Sequence, residues 1–136
     1  MKAARVIESL GLRVVKVLDK HHGHYLAIDG SDKLYLIITT TRTLRHPKSL
    51  GINFDGEMLG IRKQYIDYYL MQNVEFVIWV IGNKALKASA VDVRKLVSML
   101  GTCIKRGYEV ICHYPVAAAK ETLLAEGLEK WLYAAH

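Results

Sequence analysis

Residues 24–42 read HYLAIDGSDKLYLIITTTR. Tyr25 to Ile28 and Lys33 to Thr41 have the β-branched, aromatic and threonine content of two strands. Asp29-Gly30-Ser31-Asp32 between them is a hairpin turn, since Asp-Gly supplies the positive φ angles that a tight turn needs. Working backwards, Leu12 to Leu18 is a third strand, separated from the hairpin by His21-His22-Gly23. Residues 2–10 place Ala3, Val6, Ile7 and Leu10 on one helical stripe that ends at Gly11. A helix followed by a three-strand antiparallel meander is the resulting expectation.

Working forwards, residues 42–59 form the one long irregular stretch, and loops of that length in compact domains tend to be functional. Ile61 to Gln72 reads as a helix, with Ile61, Tyr65, Tyr68, Tyr69 and Gln72 near one face. VEFVIWVI, residues 74–81, is continuously apolar, as a central strand covered on both sides would be. Ala85 to Ala88 is read as a short strand. Ser89-x-x-Asp92 resembles a capping box opening a helix that carries Val93, Leu96, Val97, Leu100 and Ile104 and stops at Gly107. Tyr108 to Tyr114 is read as a strand. Pro115 suits the first turn of a last helix over 116–133, striped by Ala119, Leu123, Leu128, Trp131 and Leu132. The expected architecture is α/β: a mixed sheet flanked by helices, an α-β-β-β-α-β core followed by α-β-α, in one domain over residues 1–136.

Bulk properties narrow the function classes. An apolar content of 51% in 136 residues is enough for a sizeable core. No run of 18 apolar residues indicates a membrane span. The amino terminus carries charges throughout and does not read as a secretory signal, so a cytoplasmic protein is the simplest expectation. In that setting Cys103, on a helical pattern, and Cys112, on a strand pattern, are expected to be buried free thiols. The formal net charge is +6. Residues 1–50 hold nine Lys or Arg against four Asp or Glu, whereas residues 51–136 hold ten against nine. A basic first half favours an anionic partner such as nucleic acid, though a basic protein without one has the same composition.

Several residues carry candidate chemistry beside a plainer role. His21, His22 and His24 are imidazoles of the kind that bind zinc or manganese, with His46, Asp29 and Asp19 as further donors; they also read as a polar turn. His24 has a general base's ordinary pKa. Asp29 and Asp32 are turn residues or a displaced acid pair, and Asp55 and Glu57 lie in the long loop. Thr39, Thr40, Thr41, Arg42 and Thr43 can donate to phosphates, or serve a pleated strand. Arg42, Arg45, Lys48, Arg62 and Lys63 gather at the ends of the hairpin and the next helix, as a nucleic-acid-binding rim would. Tyr65, Tyr68 and Tyr69 have stacking faces, but their spacing points first to core. Trp79 reads as core, and Trp131 with Tyr133 as a dimer face.

Taken in order, SLGLRVVKV, GHYLAIDGSDKLYLIITTTR, Arg62-Lys63-Gln64, FVIWVI and VDVRKL resemble the archaeal Holliday-junction resolvases, a branch of the restriction-endonuclease-like superfamily. The likeness covers roughly residues 8–97. It implies a hairpin whose first strand opens with a carboxylate and whose second carries acid-x-lysine, together holding magnesium, with a glutamine after the hairpin and a two-fold dimer. Only Gln64 matches. His24 or Tyr25 stands for the first acid, Ile38 or Thr39 for the second, and Thr40 or Thr41 for the lysine. A second likeness is to the catalytic domain of tRNA-splicing endonucleases, which cut without metal using Tyr, His and Lys; His24 and Tyr25 fit it, but Ser31-Asp32-Lys33 stands where its histidine is expected. The resulting expectation is a nucleic-acid-binding protein, for DNA more than RNA, homodimeric, with no cofactor and no metal-dependent cleavage. The alternatives are an active nuclease, needing magnesium if resolvase-like, with His24, Asp29, Thr39, Thr41 and Gln64 as its residues, and a non-catalytic subunit of a nuclease complex.

Overall fold

The computed structural model describes residues 2–40 and 56–123. Its element order is α1 (Lys2–Ser9), β1 (Arg13–Asp19), β2 (His24–Ile28), β3 (Leu34–Thr40), β4 (Met58–Arg62), α2 (Lys63–Tyr65, continued by a wide π-turn Ile66–Leu70), β5 (Val74–Ile81), β6 (Lys84–Ser89), α3 (Ala90–Leu100), β7 (Cys103–Arg106), β8 (Glu109–Pro115), a 3-10 turn (Val116–Ala118) and β9 (Lys120–Leu123). Six strands form one sheet in the order β1-β2-β3-β5-β6-β9, and β4-β8-β7 form a second. Within the large sheet only β3 and β5 are parallel. This is a mixed α/β fold.

Alternation along the strands builds two cores. Leu26, Leu36, Ile38, Val77 and Trp79 point to one face and pack with α3, the end of α2 and the second sheet. Tyr25, Ala27, Ile37, Ile78 and Val80 point to the other and are covered by Ala3, Val6 and Ile7 of α1. Successive strand side chains face opposite ways, so β5 needs apolar residues at nearly every position, which its sequence supplies. Trp79 joins the sheets: its Nε1 donates to the Gly60 carbonyl at 2.8 Å, and its ring stacks on Tyr114 at 5.6 Å between centroids. Such a ring pair adds about 1 kcal/mol beyond area burial.

The expected meander and central strand are present, the short strand expected at 85–88 runs over Lys84–Ser89, and helices lie on both faces. Five expectations are corrected. The helix expected from Ile61 begins at Lys63, because Met58–Arg62 pairs with β8 as a strand. Within α2 the π-turn brings Tyr65, Ile66 and Leu70 inward, so Tyr68, placed on the same stripe by a 3.6-residue period, is 68% exposed. The helix expected to run to Gly107 leaves the helical path at Gly101 in a left-handed conformation, which puts Cys103 in a strand. Cys103 and Cys112 are paired neighbours on β7 and β8 and form a disulfide, not two free thiols. Finally, Pro115 closes β8, and residues 116–123 form a 3-10 turn and the edge strand β9 in place of a long helix. Its expected remainder, with Trp131 and Tyr133, lies outside the described residues.

Candidate functional site

The open end of the β2–β3 hairpin is where the sequence pattern places the chemistry. The antiparallel register sets His24 opposite Ile38 on one side and opposite Asp19 on the other. Gly23 just before it adopts φ +71, and a Cβ there would run into the Thr39 hydroxyl. That close approach lets Thr39 use both its groups on one carbonyl: its amide and its Oγ1 each donate to Gly23 O at 2.8 Å. Thr39 is 1% exposed and therefore turns no free hydroxyl toward solvent.

Around His24 the polar side chains form one network. Asp19 Oδ1 accepts from the His22 amide at 3.0 Å, and Oδ2 accepts from His22 Nδ1 at 2.9 Å and from Arg62 Nη2 at 2.8 Å. Arg62 Nη1 donates to the Tyr65 oxygen at 3.1 Å, and Nε lies 3.2 Å from Glu109 Oε1. Since the Tyr65 oxygen accepts from Arg62, its own hydrogen is free to donate to His24 Nδ1, 2.9 Å away. That bond requires a neutral imidazole. Burial, then the Arg62 charge, lower the His24 pKa from 6.5 to about 4, in keeping with this assignment. Burial alone would raise the Asp19 carboxyl. The bonds from the His22 amide, the His22 ring and Arg62 outweigh it and hold Asp19 well below the usual carboxylate range. Burial also raises the Tyr65 phenol, against the opposing pull of Arg62.

Arg62 is the hub. It comes from the last residue of β4, on the second sheet, and reaches Asp19 at the edge of the first and Glu109 on β8. Two open recesses flank it. One, of about 300 Å³, is lined by Lys16, Val17, Leu18, Gln64, Tyr65, Tyr68 and Tyr69 as well as Arg62. The other, of about 220 Å³, is lined by Arg62, Lys63, Gln64, Asp67, Tyr108, Glu109 and Val110.

The remaining candidates scatter. Asp29 sits at the closed end of the hairpin, where it accepts from the Ser31 and Lys33 amides and from Tyr35 Oη. His24 and Ile28 are four residue steps apart along β2, roughly 14 Å of chain, so Asp29 does not join the His24 network. Asp32, at φ 62, belongs to the same turn, and Glu57 precedes β4. Lys63 pairs with Asp67 at 2.8 Å on the surface. Arg42, Arg45, Lys48, His46, Thr41, Thr43 and Asp55 lie outside the described residues.

No group of three or more His, Cys, Asp or Glu among the described residues could hold a metal ion. Magnesium takes six oxygen ligands, carboxylates foremost. At the hairpin's open end the described residues do not fit it: His24 is tied to Tyr65, Ile38 is apolar, Thr39 is spent on Gly23, and Asp19, the one carboxylate there, already accepts from His22 and Arg62. Sequence reasoning missed Glu109 and the Tyr65 hydroxyl as parts of this network, and considered Asp19 only as a metal donor. The Asp19-x-x-His22 spacing was a usable signal, because an Asp at a strand end often accepts from the amide three residues on. Glu109 gave none, since its place depends on β4. Comparison of the chain with family models, with curated proteins and with solved structures returned no match.

Proposed function

We propose that this protein binds nucleic acid on a restriction-endonuclease-like scaffold and does not cleave it through a metal ion. The observation that carries the reading is the Arg62 guanidinium, held between the Asp19 and Glu109 carboxylates beside the open hairpin end. The guanidinium already pairs with both acids there. The strand order supports the scaffold: an antiparallel meander, a strand parallel to its third member, then an antiparallel neighbour. The net charge of +6 supports an anionic partner, and the resemblance to resolvases favours DNA before RNA. The reading includes a two-fold homodimer, as a symmetric DNA target favours.

The test is a binding assay with labelled duplex, four-way junction and RNA, each with and without magnesium or manganese. A shift that weakens steeply with salt, without cleavage, is the expected result. Manganese-dependent cutting abolished by Asp19→Ala would overturn it. No shift at low salt would favour a structural subunit instead.

One observation favours a second reading. Asp19 orients the half-exposed His22 through its Nδ1, the arrangement in which a carboxylate positions a proton-transferring imidazole. A metal-free nuclease would cut RNA in the presence of EDTA and lose that activity in His22→Ala.

A further inference from the structure

Among the described residues, the large apolar or aromatic side chain most open to solvent is Tyr108, at 107% of its reference exposure. It sits at the tip of the β7–β8 hairpin, where Arg106 pairs with Glu109 and Gly107-Tyr108 make a two-residue turn. Such a turn requires its glycine but has no need of a tyrosine. A ring exposed to that degree contributes nothing to packing, and the fold gives no account of it. Beside it on the same hairpin stand Lys105 and Arg106, both exposed, neither with a carboxylate partner among the described residues.

We propose that this hairpin is a finger for single-stranded DNA, with the Tyr108 ring as the stacking face for an unpaired base and Lys105 and Arg106 as phosphate contacts. The inference rests on the nucleic-acid reading above and names its substrate class. Three further observations carry it. First, the finger is anchored: the Cys103–Cys112 disulfide ties its two strands, and Cys112 is fully buried in the core between the sheets. A finger already ordered loses less freedom on binding. Second, Tyr108 forms one wall of the 220 Å³ recess that also holds Lys63 and Gln64, so a strand stacked on the ring runs alongside the candidate site. Third, the carboxylates of that recess already have cations, Asp67 with Lys63 and Glu109 with Arg62, and oppose a phosphate only weakly. The choice of a single strand follows from geometry. In a duplex each base face is covered by its neighbours, and a lone protruding ring finds a partner only where a base is unpaired.

The experiment measures affinity of the full chain for a labelled oligothymidylate 20-mer and for a blunt duplex of equal length. Tyr108→Ala should weaken single-strand binding by about fivefold or more, the loss typical of one base–aromatic stack, and change duplex binding by less than about twofold. Tyr108→Phe should bind as the parent does. Lys105→Ala with Arg106→Ala should flatten the salt dependence, since fewer counterions are released. Tyr108→Trp should place an exposed indole at the tip whose emission is quenched by the oligonucleotide. Unchanged thermal midpoints would show that the fold is intact in all of them. If the parent binds the strand and Tyr108→Ala binds it equally well, or if strand and duplex weaken together, the finger is refuted while the nucleic-acid reading stands. If the parent binds neither probe at low salt, both fall.

Discussion

His24 makes the fold sensitive to acid over a defined range. Its imidazole is 9% exposed, neutral, and accepts the Tyr65 hydroxyl hydrogen through Nδ1. Its pKa of about 4 in the folded protein lies below the 6.5 of a free histidine. Above pH 6.5 neither folded nor unfolded chain binds this proton, and the stabilisation is fully present. Between 6.5 and 4 the unfolded chain takes up a proton that the folded chain refuses, so stability falls with pH. Below about 4 both forms are protonated and the loss levels off. At 1.36 kcal/mol for each tenfold change in proton affinity, the whole loss is about 3 kcal/mol. That is a large part of the 5–15 kcal/mol typical of a domain.

The lowered carboxyls act outside this window. The Asp19 and Asp29 carboxyls are both lowered, so what they contribute is present above the usual carboxylate range and is lost only at more acid pH. His113, lowered first by burial, acts in the same direction as His24 and must be separated from it by mutation. Urea midpoints measured at pH 7, 6, 5 and 4.5 for the parent and for His24→Asn make that separation. Asn is chosen because its Oδ1 stands near the place of Nδ1 and can accept the same hydrogen without titrating. The variant should lose the larger part of the slope between pH 6.5 and 4.5, whatever its stability at pH 7. Equal slopes in the two proteins would show that His24 is not held neutral by this network.

Gly23→Ala should destabilise by more than about 2 kcal/mol, because a left-handed alanine costs roughly 1–2 kcal/mol and its Cβ also meets the Thr39 hydroxyl; an unchanged denaturation midpoint would count against the turn described. Cys103→Ser should lower stability by about 2.6 kcal/mol, the loop-entropy value for a nine-residue separation, and thiol titration of the unfolded parent without reductant should find no free cysteine. Ser89→Ala should cost about 1 kcal/mol in thermal denaturation, since Ser89 Oγ accepts the Asp92 amide at the start of α3 and nothing replaces it.

The meander was legible because its signals are local. Gly11, Asp29-Gly30 and the alternating residues of β2 and β3 each state a turn or a face within a few positions. VEFVIWVI announced burial on both sides, and Ser89-x-x-Asp92 located the cap that the structure shows. What escaped was the second sheet. Met58–Arg62 is five residues long and runs directly into α2, so its apolar residues merged with the helical stripe. Cys103–Arg106 was absorbed in the same way into the pattern of α3. Both strands exist through partners on β8 rather than through their own sequence, as edge strands often do. With β7 and β8 unpaired on paper, neither the disulfide nor the position of Glu109 was open to inference.

That missing sheet also supplies a partner for the one carboxylate beside the hairpin. A hairpin with Asp19 at its flank has one carboxylate to offer, and a cation could in principle gather others around it. β4 answers that carboxylate from the opposite side with Arg62 at its end, and Glu109 at the start of β8 pairs with the same guanidinium. Arg62 is 15% exposed at its side chain, braced by Tyr65, and its planar donors satisfy both acids at once. For a divalent ion to enter, Asp19 would have to release His22 and Arg62, leaving a guanidinium with little solvent and one partner fewer. Removing one member of such a pair costs several kcal/mol when it is buried, and less in proportion to exposure. On the reading proposed above, the second sheet therefore supplies a permanent positive charge where a nuclease would need an exchangeable metal, and Asp19, paired with Arg62, links the first sheet to the second.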